Sequence, residues 1–531
     1  MGSDITRRNL FSAASGTVAA SLLAGVAQAT SVGGDGSATN ASSQRSSNRP
    51  NIVLYLPDEM RADALGCYGN AVCKTPNFDA LAASGTRFAN CHVQLPVCVG
   101  SRCALLTGWY PHIRGHRSQY SLVDRDEPNM FRYLKEAGYD VYWFGKNDAL
   151  VGEAFQDSVT LWGAPEGPHG PPHGKTPRIT SMLFGPTGSR EEGPDYGFLQ
   201  LALEALAKRK SDRPFFLFIP GIMPHPPYRA PTEFFSMYDP AMVDRPVPFG
   251  APNKPKFHKD IRSHYRLDAL SSRDLRKVRA VYYGMVSYSD WIFGQLVKGV
   301  EAAGLSGNTA FFVTSDHGDY AGDYGLVEKW PSGMEDCLTH VPMICRVPGA
   351  PAGVVADDMV EMFDLMPTVL ELAGTQARHT HFARSFLGQV KGGSGDPNRA
   401  TFTEGGYNIY EPQAFETVPQ HGVYVAKTSL EAEMPEDVSR SVAIRTKDRK
   451  LIIRPQGQCE LYDCVRDPKL TTNVIGSHRY QKDEAELRAR LLNWYINTGV
   501  VKAHRNSPDL PPYNPVPELR KNKSEAEILD G

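Results

Sequence analysis

Apolar runs of five or six residues alternate with amphipathic stretches between residues 51 and 314. The apolar runs predict buried β-strands at residues 51–56, 140–144, 214–219 and 309–314. The amphipathic stretches predict helices at residues 77–83, 129–137, 199–208 and 275–302. Strands that alternate with helices in this way are typical of a mainly parallel sheet sandwiched by helices, so we expect an α/β fold.

The pattern changes near residue 400. Two short apolar segments at residues 441–445 and 450–454 flank a polar turn, and residues 484–495 predict an amphipathic helix. We therefore expect a large α/β domain at residues 49–399, followed by a smaller C-terminal α+β subdomain and tail at residues 400–531.

Polar side chains follow four of the predicted strands at the point where each strand ends. In chain order they are Asp58 with Glu59, Lys146, His225, and Asp316 with His317. Because ligands bind at the carboxyl ends of the strands in open α/β sheets, we expect these side chains to share one site. The carboxylate oxygens among them suit a hard divalent cation such as Ca²⁺ or Mg²⁺.

The N-terminal residues are similar to an export signal. Residues 6–11 (TRRNLF) resemble a twin-arginine motif, a small-residue apolar segment follows, and residues 27–29 (AQA) fit a cleavage site. We therefore expect a signal peptide at residues 1–29, read by the twin-arginine export machinery, and a flexible linker at residues 30–48. The expected location is periplasmic or secreted, and the apolar segment is too short for stable membrane insertion.

The net charge bears on the possible partners, and the cysteine content bears on possible disulfide bonds. The 531 residues carry a formal charge of −2, which gives no sign of a nucleic-acid partner. Nine cysteines are present, and with Cys98 set aside the other eight could pair in an oxidising compartment or stay free thiols.

Cys98 opens the most informative motif, CVGSR at residues 98–102, which is followed by Thr107-Gly108. On a helix Arg102 lies one turn after Cys98, where its guanidinium can hold an anion. With the strand ends and Lys329 after Gly325-Leu326, this motif resembles the type I sulfatases of the alkaline phosphatase-like superfamily. The resemblance implies that a maturation enzyme converts Cys98 to formylglycine, an aldehyde whose hydrate attacks the sulfur of a sulfate ester.

The resemblance also implies a metal and a set of site residues. The metal is usually calcium, with Mg²⁺ or Mn²⁺ as alternatives, and its expected ligands are Asp58, Glu59, Asp316, His317 and the group derived from Cys98. Arg102, Lys146 and Lys329 are expected to neutralise the sulfate, and His225 to protonate the leaving alcohol. The expected substrate is a sulfated small molecule or carbohydrate.

Two positions depart from the family pattern. Gly100 stands where the family has proline, and Asp148 stands where it has histidine. Alternatives stay open: a phosphonate monoester or phosphodiester hydrolase with the same site, a binding protein with an inactive sulfatase site, or a hydrolase that uses an unmodified Cys98 thiolate.

Overall fold

The first apolar run forms a strand, Asn51–Leu56, in which every residue is buried. The computed structural model describes residues 49–163, 185–411, 424–499 and 501, so the predicted signal peptide and linker lie outside the described residues. Within those residues, no helix combines the length and the apolar character needed to cross a membrane.

The strands, numbered in chain order, are β1 (Asn51–Leu56), β2 (Thr86–His92), β3 (Asp140–Phe144), β4 (Leu161–Gly163), β5 (Phe215–Pro220), β6 (Thr309–Thr314), β7 (His340–Val341), β8 (Met343–Arg346), β9 (Val354–Glu361), β10 (Thr401–Gly405), β11 (Ser441–Arg445), β12 (Arg449–Ile453) and β13 (Glu460–Asp463).

The helices are α1 (Pro76–Ala83), α2 (Cys98–Thr107), α3 (Met130–Glu136), α4 (Gly152–Ser158), α5 (Tyr196–Lys208), α6 (Thr232–Phe235), α7 (Phe257–His264), α8 (Ser272–Ala302), α9 (Asp336–Thr339), α10 (Leu365–Leu372), α11 (Leu387–Val390), α12 (Val425–Glu433) and α13 (Gln481–Thr498).

The larger sheet has the strand order β4-β3-β5-β1-β6-β8-β2-β7, and β9 also pairs with β2. The five strands from β4 to β6 run parallel, with Ile52 of β1 opposite Phe216 of β5 and Ala310 of β6. The strand β8 joins β6 in the antiparallel sense. The fold is therefore the predicted α/β type with a mainly parallel sheet.

Alternate residues of the central strands feed two cores on opposite faces of the sheet. Val53 and Tyr55 of β1 belong to one core, which also contains side chains of α1, α5 and α8. Ile52 and Leu54 of the same strand belong to the other, which contains side chains of α2, α3 and α10. Helices thus cover both faces, which explains why the strands read as uninterrupted apolar runs in the sequence.

The C-terminal strands form a separate antiparallel sheet of order β10-β11-β12-β13. Side chains of this sheet and of α13, including Trp494, join the second core, and the Trp494 ring stacks on Phe402 of β10 with the ring centroids 4.8 Å apart. The described residues from Arg49 onward group into one compact unit, so the predicted boundary at residue 400 stays a prediction. All nine cysteines lie in described residues and are free thiols.

Candidate active site

The order of the central strands brings the four polar strand ends to one edge of the sheet. The strands β3, β5, β1 and β6 are consecutive neighbours, and their C-terminal ends are followed by Lys146, His225, Asp58 and Asp316 in that order. The carboxyl ends of parallel strands meet at the same edge, so the side chains that follow them face one space.

Cys98 is the first residue of α2, and its side chain is buried. Its Sγ lies 3.2 Å from Nε2 of His317, 3.4 Å from Oδ1 of Asp58 and 3.6 Å from Nζ of Lys146. Burial, together with the Asp58 carboxylate, raises the pKa of the Cys98 thiol well above its usual range. In the protein alone the unmodified side chain is therefore a neutral thiol, which is a weak nucleophile.

Arg102 links two carboxylates beside Cys98. Its Nη2 lies 3.0 Å from Oδ2 of Asp58, and its Nε lies 2.7 Å from Oδ2 of Asp316. Nζ of Lys146 lies 2.8 Å from the same Asp58 oxygen. Burial alone would raise the pKa of Asp58, but Lys146 and Arg102 hold it well below the usual range of a carboxyl group. Asp58 is therefore ionised, and the site mixes buried charges of both signs.

Glu59 has an unusual backbone conformation beside Asp58. Its backbone has φ 67°, in the left-handed region, and the hydroxyl of Tyr282 donates to its carbonyl oxygen at 2.7 Å. One oxygen of its carboxylate pairs with Nζ of Lys329 and lies 3.2 Å from Nε2 of His225. The Glu59 side chain thus contacts two other predicted site residues, His225 and Lys329.

His225 and Lys329 are held close together. Nζ of Lys329 lies 3.0 Å from Nε2 of His225. The turn before His225 is anchored by buried Asp195, whose oxygens accept hydrogen bonds from the backbone N–H groups of Ile222 and Met223 at 2.7 and 3.1 Å. Burial, and then the charge of Lys329, hold the pKa of His225 well below that of an ordinary histidine.

The structure shows what surrounds Gly100 and Asp148, the two residues that depart from the family pattern. A Cβ atom on Gly100 would lie 2.7 Å from the backbone oxygen of His116 and 2.9 Å from Cδ2 of Leu95, so the third residue of α2 has no room for a side chain. Asp148 pairs with Lys146 at 2.7 Å and places a carboxylate at the wall of the cleft above Cys98.

That cleft has a volume of about 620 Å³ and exposes side chains that the sequence analysis did not single out. Arg117, Tyr120 and Tyr407 line it, as do Tyr424 and Lys427 at the start of α12. The hydroxyl of Tyr424 lies 2.7 Å from Nε2 of His225. No strand-end pattern marks residue 424 in the sequence, and it lies 199 positions from His225, so only the tertiary structure brings the two together.

Two overlapping groups of potential metal ligands lie in the site. One is formed by Asp58, Cys98, Asp316 and His317, and the other by Asp58, Glu59, Cys98 and His225. Within each group the ligand atoms lie within 4.8 Å of one another. Oε2 of Glu59 is buried and has no hydrogen-bond partner among the residues that the structure describes. Buried carboxylate oxygens beside an imidazole fit a divalent cation, which would offset the cost of burying them.

Comparison with known proteins decides the family. The sequence profile of the sulfatase family matches residues 50–375, well over half of the chain. The chain belongs to the sulfatase family. The matched range contains every predicted site residue, from Asp58 to Lys329. Membership in this family of sulfuric ester hydrolases implies a metal and a formylglycine.

Similar proteins include several sulfatases. The chain is 26% identical over 489 residues to the arylsulfatase of Clostridium perfringens, covering 84% of this chain and 94% of that one. It is 30% identical over 410 residues to human iduronate 2-sulfatase, covering 64% and 72% of the two chains. The solved structure of the phosphonate monoester hydrolase of Agrobacterium radiobacter has a TM-score of 0.71 at 22% identity, with 85% of this chain and 96% of that one covered, and shows the same fold.

Proposed function

We propose that this member of the sulfatase family hydrolyses sulfate esters of small molecules or carbohydrates through a formylglycine derived from Cys98. The observation that carries the proposal is the position of Cys98 at the N-terminal end of α2, where its Sγ has Asp58, Lys146 and His317 within 3.6 Å. The N-terminal end of a helix favours an anion, as do the cations around it. A tetrahedral sulfate therefore finds complementary charge at this point.

In the proposal, Arg102, Lys146 and Lys329 hold the sulfuryl oxygens. Lys329 is suited to this role because its ammonium lies at the cleft and is held by two buried carboxyl groups, Glu59 and Glu328, the latter 3.1 Å away. Arg102 is fixed by its two carboxylate partners and cannot turn away from the site. Fixed cations stabilise charge that develops on the sulfuryl group without reorganising.

His225 acts in the proposal on the leaving-group oxygen. It lies at the cleft side of the site, 3.0 Å from Lys329, where an ester oxygen bound to the sulfuryl group would reach it. Transfer of a proton from the ring to this oxygen as the S–O bond breaks avoids the release of a free alkoxide.

We further propose that Asp58, Asp316 and His317 hold a divalent cation, most simply calcium, together with the group derived from Cys98 and with Glu59. When bound, such a cation supplies positive charge at the sulfuryl oxygens, and formylglycine supplies a hydrated aldehyde as nucleophile. Metal analysis of the purified protein tests this assignment: calcium at about one equivalent supports it, and a metal content that does not change between the wild type and a D316N variant contradicts it.

The proposed function is tested by a pair of cysteine variants on one helix. C98A is expected to lose at least about a thousandfold in kcat/KM toward p-nitrophenyl sulfate, because the nucleophile is gone. C103A is the matched control, since Cys103 is buried five residues later and contacts the Ala149 carbonyl at 3.5 Å outside the cleft. Full sulfatase activity in C98A would contradict the proposal.

The competing function is phosphonate monoester or phosphodiester hydrolysis, because tetrahedral anionic esters share charge and shape. The fold shared with the phosphonate monoester hydrolase of Agrobacterium radiobacter is the reason to test it. Parallel assays with p-nitrophenyl sulfate and p-nitrophenyl phenylphosphonate separate the two: a larger kcat/KM on the sulfate supports sulfatase function. Binding of sulfated ligands without turnover of either ester would favour a binding protein.

We also propose export by the twin-arginine route to the periplasm or beyond. The support is the order of the arginine pair, apolar segment and cleavage site in residues 1–29. Fractionation of cells that express the full chain is expected to find a shortened protein outside the cytoplasm, and an R7K/R8K double variant is expected to stay inside. Export of that variant at the wild-type rate would contradict this route.

A further inference from the structure

Tyr424 makes a short contact with a predicted site residue from outside the matched family range. Its hydroxyl lies 2.7 Å from Nε2 of His225 and 3.5 Å from Nδ1, and the two rings meet edge to face with centroids 6.0 Å apart. The residue lies just before α12, beyond the segment that the family profile covers.

The other ring nitrogen of His225 is held by the backbone. Nδ1 lies 2.5 Å from the carbonyl oxygen of Pro226, which can only accept, so Nδ1 carries a proton. Nε2 is therefore the atom through which His225 exchanges a proton with a ligand. Tyr424 is the hydroxyl that faces this atom, next to Lys329 at 3.0 Å and Glu59 at 3.2 Å.

Tyr424 is itself fixed between two lysines. Nζ of Lys329 and Nζ of Lys427 lie 5.7 and 5.6 Å from the centroid of its ring. Glu328 joins the two cations, at 3.1 Å from Lys329 and 3.2 Å from Lys427. Cation–π contacts and this shared carboxylate leave the tyrosine ring little freedom, so the direction of its hydroxyl is set before a substrate binds.

We propose that Tyr424 is a positioning residue that aims Nε2 of His225 at the leaving-group oxygen of the bound ester. A tyrosine hydroxyl both donates and accepts, so it bonds to Nε2 when the ring is neutral and receives a bond from Nε2–H when the ring carries the proton. The reactive ring carries a proton on Nδ1 and a second proton, taken from solvent, on Nε2, which the Tyr424 hydroxyl and the leaving oxygen share as acceptors. In the reaction the Nε2–H bond breaks, a new O–H bond forms on the leaving oxygen, this oxygen keeps the electron pair of the broken S–O bond, and the ring returns to its neutral form. The inference rests on the proposed function of His225.

The effect of losing the hydroxyl depends on the leaving group. An acidic phenol such as p-nitrophenol leaves without help, whereas a weakly acidic phenol or an alcohol needs the proton from His225. General acid catalysis contributes about 100- to 10,000-fold, and we expect misalignment of the acid to forfeit about 10- to 100-fold of this. A merely structural role for Tyr424 would lower the rates of all the esters by the same factor.

The experiment measures kcat/KM of the wild type, Y424F and Y410F on sulfate esters of p-nitrophenol, phenol and p-methoxyphenol. Y424F is expected to lose about 10- to 100-fold on the p-methoxyphenyl ester and less than about threefold on the p-nitrophenyl ester. Y410F is the matched control, since Tyr410 belongs to the same region but is 81% exposed and does not line the cleft. It is expected to match the wild type on all three esters.

A double-mutant cycle shows whether Tyr424 acts through His225. In an H225A background, Y424F is expected to have almost no further effect on the p-methoxyphenyl ester, because the group that it positions is absent. Effects that multiply, equal losses across the three esters, or wild-type rates of Y424F on the p-methoxyphenyl ester would each overturn the inference. Melting temperature and metal content of each variant check that the fold and the site are intact.

The same assays distinguish failure of the inference about Tyr424 from failure of the proposed sulfatase function. A wild type that cleaves only phosphonate esters would refute sulfatase function, and the three phenols attached to phenylphosphonate would then test Tyr424 with the same expected pattern. A wild type that cleaves neither series would overturn both proposals.

Discussion

Gly100 stands where related sequences are expected to have proline, and its surroundings predict that no side chain can be restored there. A Cβ atom would approach the His116 backbone oxygen to 2.7 Å and two carbons of Leu95 to 2.9 and 3.0 Å. Contacts below 3.0 Å require a shift of the neighbours, and here one neighbour is backbone. The segment after His116 carries Arg117 and Tyr120 of the cleft wall, so a shift would reach the site.

The expected change in the free energy of unfolding on replacing Gly100 with alanine combines two opposed effects. Alanine in place of glycine inside a helix gains about 0.5 to 1 kcal/mol. Forcing an extra carbon into a packed region costs about 1 to 3 kcal/mol. We therefore expect G100A to lower the free energy of unfolding by roughly 1 kcal/mol and at most by about 2.5 kcal/mol. G100P carries the same Cβ, so it is expected to be destabilised as well, although proline is tolerated in the first turn of a helix.

The assay is urea unfolding of the wild type, G100A and G152A, followed by tryptophan fluorescence. Gly152 is the matched control, because it begins α4 and, apart from its own helix and chain neighbours, no atom of the described residues lies within 4 Å of the Cβ position. G152A is expected to be unchanged or more stable by up to about 1 kcal/mol. If G100A is as stable as G152A, the steric account of this position is wrong.

Three further predictions follow from charges and ligands near the cleft. Burial would raise the pKa of Glu404, but Arg117 and His112 lower it from 4.5 to about 2, so its ionised form stabilises the fold above pH 4.5. At pH 7 the free energy of unfolding of E404Q is expected to be lower than that of the wild type by up to roughly 3 kcal/mol, and this difference closes as the pH falls from 4.5 to 2. Urea unfolding of both proteins at several pH values measures the difference. A difference that does not vary with pH would contradict the reasoning. D148N removes a carboxylate that pairs with Lys146 at 2.7 Å, so sulfate is expected to bind more tightly and its inhibition constant to fall by up to about tenfold. Weaker inhibition by sulfate in D148N would show that Asp148 helps to hold sulfate. Removal of metal by a chelator is expected to abolish activity and lower the melting temperature, and added calcium is expected to restore both. The reason is that Asp58 and Asp316 are fully buried, so without a cation their charges lie close together away from water. An unchanged melting temperature after verified metal removal would contradict the candidate metal site.

Strand positions were the most predictable part of the fold. β1, β3 and β6 have the bounds that their apolar runs predict, because strands covered on both faces are apolar without interruption and end at polar residues. The long helix α8 begins at Ser272, before the predicted residue 275, since Ser271 and Asp274 form a capping box that hydrophobic periodicity does not reveal.

The candidate site was predictable as far as strand ends and motifs define it. The parallel order of β3, β5, β1 and β6 gathers the residues that follow these strands. The direction of the Glu59 side chain was not predictable, since it depends on a left-handed backbone held by Tyr282. The contact of Tyr424 with His225 was also beyond the sequence pattern, because it joins parts of the chain 199 residues apart.

The central claim is that Cys98 becomes a formylglycine, and mass spectrometry of the tryptic peptide of residues 88–102 tests it most directly. The protein should be purified from its native host, and fragmentation should separate Cys98 from Cys91 in the same peptide. The expected result is a residue 98 that has lost one sulfur and two hydrogens and gained one oxygen. An unmodified thiol at Cys98 in every preparation would contradict it.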